Sequence, residues 1–82
     1  MTVSAQIAIY PLRQERLTPA VRAVSDALAA HGLAASVGPM STLVTGELDA
    51  VVDALREGFR AAATTGHVVM TVTLSNACPT SS

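Results

Sequence analysis

Apolar and polar residues alternate near both ends of the chain. The alternating apolar positions are Val3, Ala5, Ile7 and Ile9 in the first segment and Val68, Met70, Val72 and Leu74 in the last. A period of two is typical of a β-strand that has one face against the core. We therefore predict a strand in each segment, with these residues facing the interior.

Two intervening segments have helical periodicity instead. Val21, Val24 and Leu28 form the apolar stripe of the first. Thr18 is its predicted N-cap, and Gly32 is its predicted left-handed end.

The second helical segment has a longer stripe, which predicts a helix that ends near Gly66. Its apolar positions are Leu48, Val51, Val52, Leu55, Phe59 and Ala62. Gly58 lies inside this helix, where glycine is unfavourable, and this predicts close packing on that side.

Two short extended runs, residues 33–39 and 40–46, lie between the helices. The order strand, helix, strand, strand, helix, strand predicts an α+β fold. This is a ferredoxin-like βαββαβ sandwich, with a four-stranded antiparallel sheet and both helices on one face. The other face has the residues Ser4, Gln6, Ala8, Tyr10, Val69, Thr71, Thr73 and Ser75. Such a mixed face fits an oligomer interface or a ligand platform.

The length of 82 residues predicts one domain, residues 1–79, and a disordered tail, residues 80–82. Tyr10 and Phe59 are the chain's aromatic residues, so the core has to be built from smaller aliphatic side chains. A small core of this kind removes only a modest apolar area from water. Self-association would cover more apolar surface, and we predict a homodimer or a homotetramer.

Charge and composition narrow the class of function. Five basic and six acidic residues give a net charge of -1, without the basic stripe that nucleic-acid binding needs. The first residues lack the pattern of a signal peptide, and no apolar run is long enough for membrane insertion. One cysteine, Cys78, fits a reducing compartment. These features predict a cytoplasmic protein that binds neither nucleic acid nor membrane.

Catalytic and metal-binding chemistry finds little support in the sequence. Cys78 has no base linked to it by sequence, and His31, His67 and Cys78 lack metal-ligand spacing. We therefore expect no metal site, no catalytic residue and no enzymatic activity. A small enzyme that uses Cys78 or Glu47 is the alternative.

Neutral polar residues are the better candidates for a site. Gln6, Ser41, Thr42 and Asn76 lie in or beside predicted strands, and we expect them to converge around a small heterocycle. Ordinary solvent-facing strand positions are the alternative for Ser41 and Thr42. Glu47 follows Gly46 where a strand meets a helix. Its carboxylate is therefore a candidate to accept a hydrogen bond from a ligand amine, and the alternative is that it only interacts favourably with the helix dipole.

Three segments together resemble the YkoF-like thiamine/hydroxymethylpyrimidine-binding family. They are AQIAIYPL (residues 5–12), GPMSTLVTGELDAVVDAL (residues 38–55) and GHVVMTVTLSNACP (residues 66–79). The shared features, in order, are a strand ending in Tyr-Pro, a Ser-Thr pair with a glycine four residues after the threonine, and a final Cys-Pro. Together they extend over nearly the whole chain.

The resemblance implies a ferredoxin-like domain that binds thiamine or its aminopyrimidine part without catalysing a reaction and without a cofactor. Ser41, Thr42 and Tyr10 match its motif positions, whereas Gln6 and Asn76 match less closely. Tyr10 or Met40 would cover the face of the pyrimidine ring. Two such domains occur in one chain in this family, so a chain with one implies pairing of identical chains. The alternative is an oligomeric regulatory or structural domain that binds another heterocycle.

Overall fold

The computed structural model of the chain describes residues 1–13, 16–64 and 66–77. Its elements are β1 (Thr2–Pro11), α1 (Thr18–Ala30), β2 (Ala35–Val37), β3 (Thr42–Glu47), α2 (Leu48–Ala63) and β4 (Val68–Ser75). The strands form one antiparallel sheet in the order β2-β3-β1-β4. The predicted α+β ferredoxin-like sandwich is confirmed. The predicted end of the domain at residue 79, the tail and Cys78 lie outside the described residues.

The local sequence predicts the end of α1 correctly and places its start one residue too late. Leu17, not Thr18, occupies the N-cap, so the prediction for Thr18 was one residue out; Pro19 lies in the first turn. At the other end Gly32 has φ 73°, as predicted. Gly32 N–H donates to Ala29 O at 3.0 Å and Leu33 N–H donates to Leu28 O at 3.0 Å. This pair of bonds satisfies the last carbonyls of the helix and turns the chain towards β2.

The core lies between the sheet and the helices. All four predicted residues of β1 are buried there, together with Val24 and Leu28 of α1 and Val51 and Ala54 of α2. Gly58 permits close contact between the helices, since a Cβ at this position would lie 3.1 Å from Val24 Cα. The close packing predicted at Gly58 is confirmed.

β4 departs from its predicted burial. Val68 and Met70 pack against the core as expected, but Val72 and Leu74 are 36% and 45% exposed. Val72 pairs with Ile7, so it does lie on the helix-facing side of the sheet. The prediction was therefore right about the face and wrong about burial, because β4 is an edge strand and the helix layer leaves its second half uncovered. Within the described residues, no helix combines the length and apolarity needed to cross a bilayer.

Candidate functional site

A cavity of about 110 Å³ lies at one end of the sheet, where β1 ends and β3 begins. Its walls come from β1, the start of α1, the loop between β2 and β3, and the first residue of β3. Most of the lining is apolar, including Ile7, Ile9 and Val21. The hydroxyl-bearing side chains in the lining are Tyr10, Ser41 and Thr42. An apolar concave surface with a few polar groups is typical of a small-molecule site.

Thr42 is the buried polar residue of this cavity. It is 6% exposed, and its hydroxyl makes no hydrogen bond to any residue within 1–13, 16–64 or 66–77. A buried hydroxyl without a partner costs free energy, and most buried polar groups in proteins are paired. The alternative of a solvent-facing Thr42 is excluded by this burial. Its hydroxyl is available to a molecule that enters the cavity.

The loop of residues 38–41 holds Ser41 and Thr42 in place. Val37 of β2 pairs with Thr42 of β3, which leaves a four-residue hairpin loop between the strands. Gly38 N–H donates to Ser41 O at 2.8 Å and closes this loop. Gly38 and Pro39 end β2 as the sequence predicts, and both residues line the cavity.

Ser41 and Gln6 contact each other on the side of the sheet opposite the helices. Gln6 Nε2 donates to Ser41 Oγ at 3.4 Å, which is long for such a bond. Gln6 is exposed and does not line the cavity, but it touches one of the residues that does. The expected proximity of Gln6 to Ser41 is therefore present, and the bond is weak enough to exchange for a ligand.

Tyr10 and Met40 are the flat and flexible side chains of the site. Both line the cavity, with Tyr10 50% exposed and Met40 84% exposed. Exposed apolar side chains beside a cavity are available to cover a ring bound inside it. The structure thus brings Tyr10, Met40, Ser41 and Thr42 together at the cavity.

Asn76 does not join this group, and the expected convergence has to be corrected. Ser75 pairs with Ser4 of β1, whereas Thr42 pairs with Ile7. Asn76 therefore lies about four residues, or roughly 14 Å along the strands, from the level of Thr42. The cause is the antiparallel direction of β4, which brings its end to the start of β1.

Glu47 also lies at the far end, five residues from Thr42 along β3 or about 17 Å. It is the N-cap of α2, and both carboxylate oxygens accept from the Met1 ammonium at 3.0 Å. Asp49 occupies the first turn of α2, where an acidic side chain meets the helix dipole favourably. A ligand role for Glu47 or Asn76 would therefore belong to a site other than the cavity.

A second depression lies on the sheet face away from the helices. It has a volume of about 300 Å³, and its walls include Gln6, Leu43, Thr45 and Thr73. These four side chains are exposed. A hydroxyl that already reaches water gains less from a ligand than a buried one, so this depression is the weaker candidate.

Side chains that could bind a metal ion do not cluster in the described part of the chain. No group of three or more His, Cys, Asp or Glu side chains is placed to hold a metal ion there. His31 Nε2 lies 3.1 Å from Glu57 Oε2, a contact between the end of α1 and the surface of α2, away from the cavity. Seven lining residues were not predicted as site residues, namely Ile7, Ala8, Ile9, Leu17, Val21, Gly38 and Pro39. The signal for Leu17 and Val21 was their spacing of four residues, about one helical turn, at the start of α1.

Comparison with known proteins identifies the family. The model of the YKOF-related family matches residues 2–81. The chain belongs to this family. A comparison with curated proteins finds no match.

Solved structures share the fold of this member of the YKOF-related family. A hypothetical protein from Methanocaldococcus jannascii is 20% identical, with a TM-score of 0.85, and the match covers 98% of this chain and 84% of that one. A protein from Streptococcus pneumoniae is 22% identical, with a TM-score of 0.84 and coverage of 96% and 90%. A Thermotoga maritima protein described as a "putative thiamine biosynthesis/salvage protein" is 22% identical, with a TM-score of 0.77 and coverage of 90% and 82%. At these identities the likeness shows the fold.

Proposed function

We propose that the chain is a non-catalytic binding protein for thiamine or its hydroxymethylpyrimidine moiety, acting in thiamine salvage, transport or sensing. Membership of the YKOF-related family and the described role of the Thermotoga maritima neighbour support a thiamine-related role. The observation that carries the proposal is the Thr42 hydroxyl, buried in the lining of the cavity without a partner among the described residues.

The chemistry of the cavity suits an aminopyrimidine. This ring has an exocyclic amine that donates and ring nitrogens that accept, while its faces are apolar. A hydroxyl both donates and accepts, so Thr42 and Ser41 can each pair with either kind of group. Ile7 and Val21 offer apolar contact to the ring, and Tyr10 is placed to cover it.

The volume of the cavity favours one ring inside it. A cavity needs about 10–15 Å³ to hold one water molecule, so a cavity of about 110 Å³ holds a group of several heavy atoms. We expect the pyrimidine to enter and the thiazolium of thiamine to lie outside, beside Met40, which is 84% exposed. Thiamine and free hydroxymethylpyrimidine should then bind with comparable affinity.

The composition of the lining supports binding without catalysis. Among residues 1–13, 16–64 and 66–77, the lining side chains include hydroxyls but no carboxylate, imidazole, amine or thiol. Nucleophilic catalysis by a hydroxyl needs an adjacent base, and general acid–base catalysis needs a titratable group within reach of the substrate.

Isothermal titration calorimetry with hydroxymethylpyrimidine, and in parallel with thiamine, tests the proposal. We expect saturable binding of both with one site per chain, weakened by Thr42→Ala. A pyrimidine without the exocyclic amine should bind more weakly than hydroxymethylpyrimidine. Thr45→Ala is the matched control, because Thr45 is in the same strand but exposed on the other face. The absence of heat and of thermal stabilisation with either ligand would refute the proposal.

A substitution outside the described residues separates binding from thiol chemistry. Cys78→Ser should retain full ligand affinity, since the proposed site uses no thiol. Turnover of either ligand by the wild type, lost in Cys78→Ser, would establish the alternative of a small enzyme.

We also propose that the chain forms a homodimer or a homotetramer. Twelve large apolar residues are exposed in the described part of the chain. Scattered apolar residues are normal on a monomer, whereas contiguous ones point to an interface. Light scattering of the purified protein measures this directly, and a single mass of 8.4 kDa at all concentrations would contradict it.

A further inference from the structure

A groove between α1 and the end of β2 adjoins the cavity, and we call it the α1 groove. It has a volume of about 350 Å³ and shares Leu17, Val21, Gly38 and Pro39 with the lining of the cavity. The two spaces are therefore neighbouring parts of one recess. A ligand that places a ring in the cavity has the α1 groove beside it for a second chemical group.

The lining of the α1 groove is polar where that of the cavity is apolar. Thr18, Arg22, Ser25 and Asp26 contribute to it from α1. Their spacing of three or four residues places them on one face of the helix. Arg22 is the cationic side chain of this lining, and the described lining of the cavity has no charged side chain.

Arg22 has no protein partner in the described part of the chain. Its guanidinium makes no ion pair or hydrogen bond within residues 1–13, 16–64 or 66–77. Asp26 follows it by one helical turn, yet the two side chains do not form a salt bridge. By contrast, Arg56 pairs with Asp53 at 3.2 Å. The N–H donors of Arg22 are therefore available to an anion in the groove.

The distribution of charge along the chain favours an anion at this end of the sheet. Residues 10–22, which lead from the end of β1 into α1, contain three arginines and one glutamate, although the whole chain has a net charge of -1. Glu47 and Asp49 lie at the opposite end of the sheet, where β3 passes into α2. The field at the cavity end therefore attracts anionic ligands.

We propose that the α1 groove binds a phosphate ester carried by the ligand whose pyrimidine occupies the cavity. Arg22 is the phosphate-binding residue, and the Thr18 hydroxyl is a second donor. This rests on the proposed function and names its substrate class, a phosphorylated ligand that contains the pyrimidine. A guanidinium suits this group because it donates two parallel N–H bonds to two phosphate oxygens.

The order of residues along α1 favours a phosphate close to the ring. Leu17 lines both spaces, Arg22 follows it by about 8 Å along the helix axis, and Asp26 by about 14 Å. The guanidinium therefore lies between the cavity and the carboxylate. In the ester of the hydroxymethyl group, one methylene and one oxygen join the ring to the phosphorus, which keeps the phosphate near Arg22 and short of Asp26. Thiamine monophosphate is the other source of the same chemistry.

Isothermal titration calorimetry at low ionic strength compares hydroxymethylpyrimidine with its phosphate ester, and thiamine with thiamine monophosphate. We expect the wild type to bind hydroxymethylpyrimidine phosphate about tenfold more tightly than hydroxymethylpyrimidine, because charge-assisted hydrogen bonds are added. Arg22→Gln removes the charge and keeps a long helix-forming side chain, so it should bind both with similar affinity. Arg60→Gln is the matched control: Arg60 is an exposed arginine of α2 outside the groove, and this variant should keep the preference.

Ionic strength gives a second readout on the wild type. At about 1 M salt the Debye length falls to about 3 Å, which screens the attraction between an exposed guanidinium and a phosphate. The preference for the ester should then shrink, while the affinity for hydroxymethylpyrimidine itself should change little.

The four ligands separate failure of this inference from failure of the proposed function. Binding of none of them overturns both. Binding of hydroxymethylpyrimidine without a preference for either ester overturns the phosphate site alone, and so does a preference that survives in Arg22→Gln. A preference for thiamine monophosphate over thiamine that is lost in Arg22→Gln supports the site and identifies the thiazolium side as the source of the phosphate. Circular dichroism checks that the variants fold, and Arg22→Ala replaces Arg22→Gln if the latter does not.

Discussion

Replacing Thr42 by valine should raise the stability of the free protein and lower its affinity for ligand. Valine keeps the shape and the β-branch of threonine and removes only the hydroxyl. Most substitutions in a protein interior destabilise it, so a gain in stability would be an unusual result. The reason to expect one is that Thr42 is 6% exposed and its hydroxyl has no hydrogen-bond partner among the described residues.

The size of the effect follows from the cost of an unpaired buried hydroxyl. Leaving such a group unsatisfied costs about 1–3 kcal/mol. The cavity reduces this cost because the Thr42 hydroxyl is not enclosed by protein on every side. We therefore take the lower end of the range, about 1 kcal/mol. For a domain of this length that gain raises the Tm by about 4–8 °C. Loss of a hydrogen bond to bound ligand, at about 1.4 kcal/mol, weakens binding about tenfold.

Two measurements on Thr42→Val check the expected gain in stability and the expected loss of affinity. Urea denaturation gives the change in the free energy of unfolding without ligand, and titration calorimetry with hydroxymethylpyrimidine gives the change in affinity. Thr42→Ser is the control that keeps the hydroxyl and loses a methyl group: it should lose stability and retain most of the affinity. If Thr42→Val instead lost 1 kcal/mol or more, the hydroxyl would have a partner in the free protein. If its affinity were unchanged, the hydroxyl would not contact the ligand.

Three further substitutions probe the site and the core. Tyr10→Ala should weaken hydroxymethylpyrimidine binding by calorimetry about fivefold or more, since it removes the ring-covering aromatic, with little change in Tm because Tyr10 is 50% exposed. Gly58→Val should destabilise the fold by about 1–3 kcal/mol in urea, because its Cβ would meet the Val24 backbone at 3.1 Å; wild-type stability would contradict this close contact. Leu28→Ala should cost about 2–5 kcal/mol in the same assay, as Leu28 is fully buried.

Periodicity alone determined the fold correctly. The alternation in β1 and the helical stripes left one arrangement of six elements, and the structure has that arrangement with the predicted faces of β1. Burial along β4 was not predictable in the same way. Val72 and Leu74 are on the expected face, but whether a helix covers them depends on the lateral position of α2, which the local pattern does not specify.

The site was predictable only in part, for a similar reason. In β3 one face has Thr42 and Val44 and the other has Leu43 and Thr45, so each face has one apolar residue and one threonine. The pattern therefore leaves open which hydroxyl is buried. The sequence predicts that Asn76 converges with Ser41 because both flank strand ends, and it makes Glu47 a candidate ligand contact where a strand meets a helix. The register shows that Ser41 lies at the opposite end of the sheet from both.

Thr42 and Val72 lie in one row of the sheet. Thr42 pairs with Ile7 on one side, and Ile7 pairs with Val72 on the other, so all three side chains face the helices. In this row the threonine is 6% exposed and the valine 36% exposed, the reverse of what their polarity favours. Sequences that specify a fold well tend to break such local rules at functional positions. We propose that a ligand satisfies the buried hydroxyl of Thr42, whereas Val72 is one of the exposed apolar residues that the proposed self-association would cover.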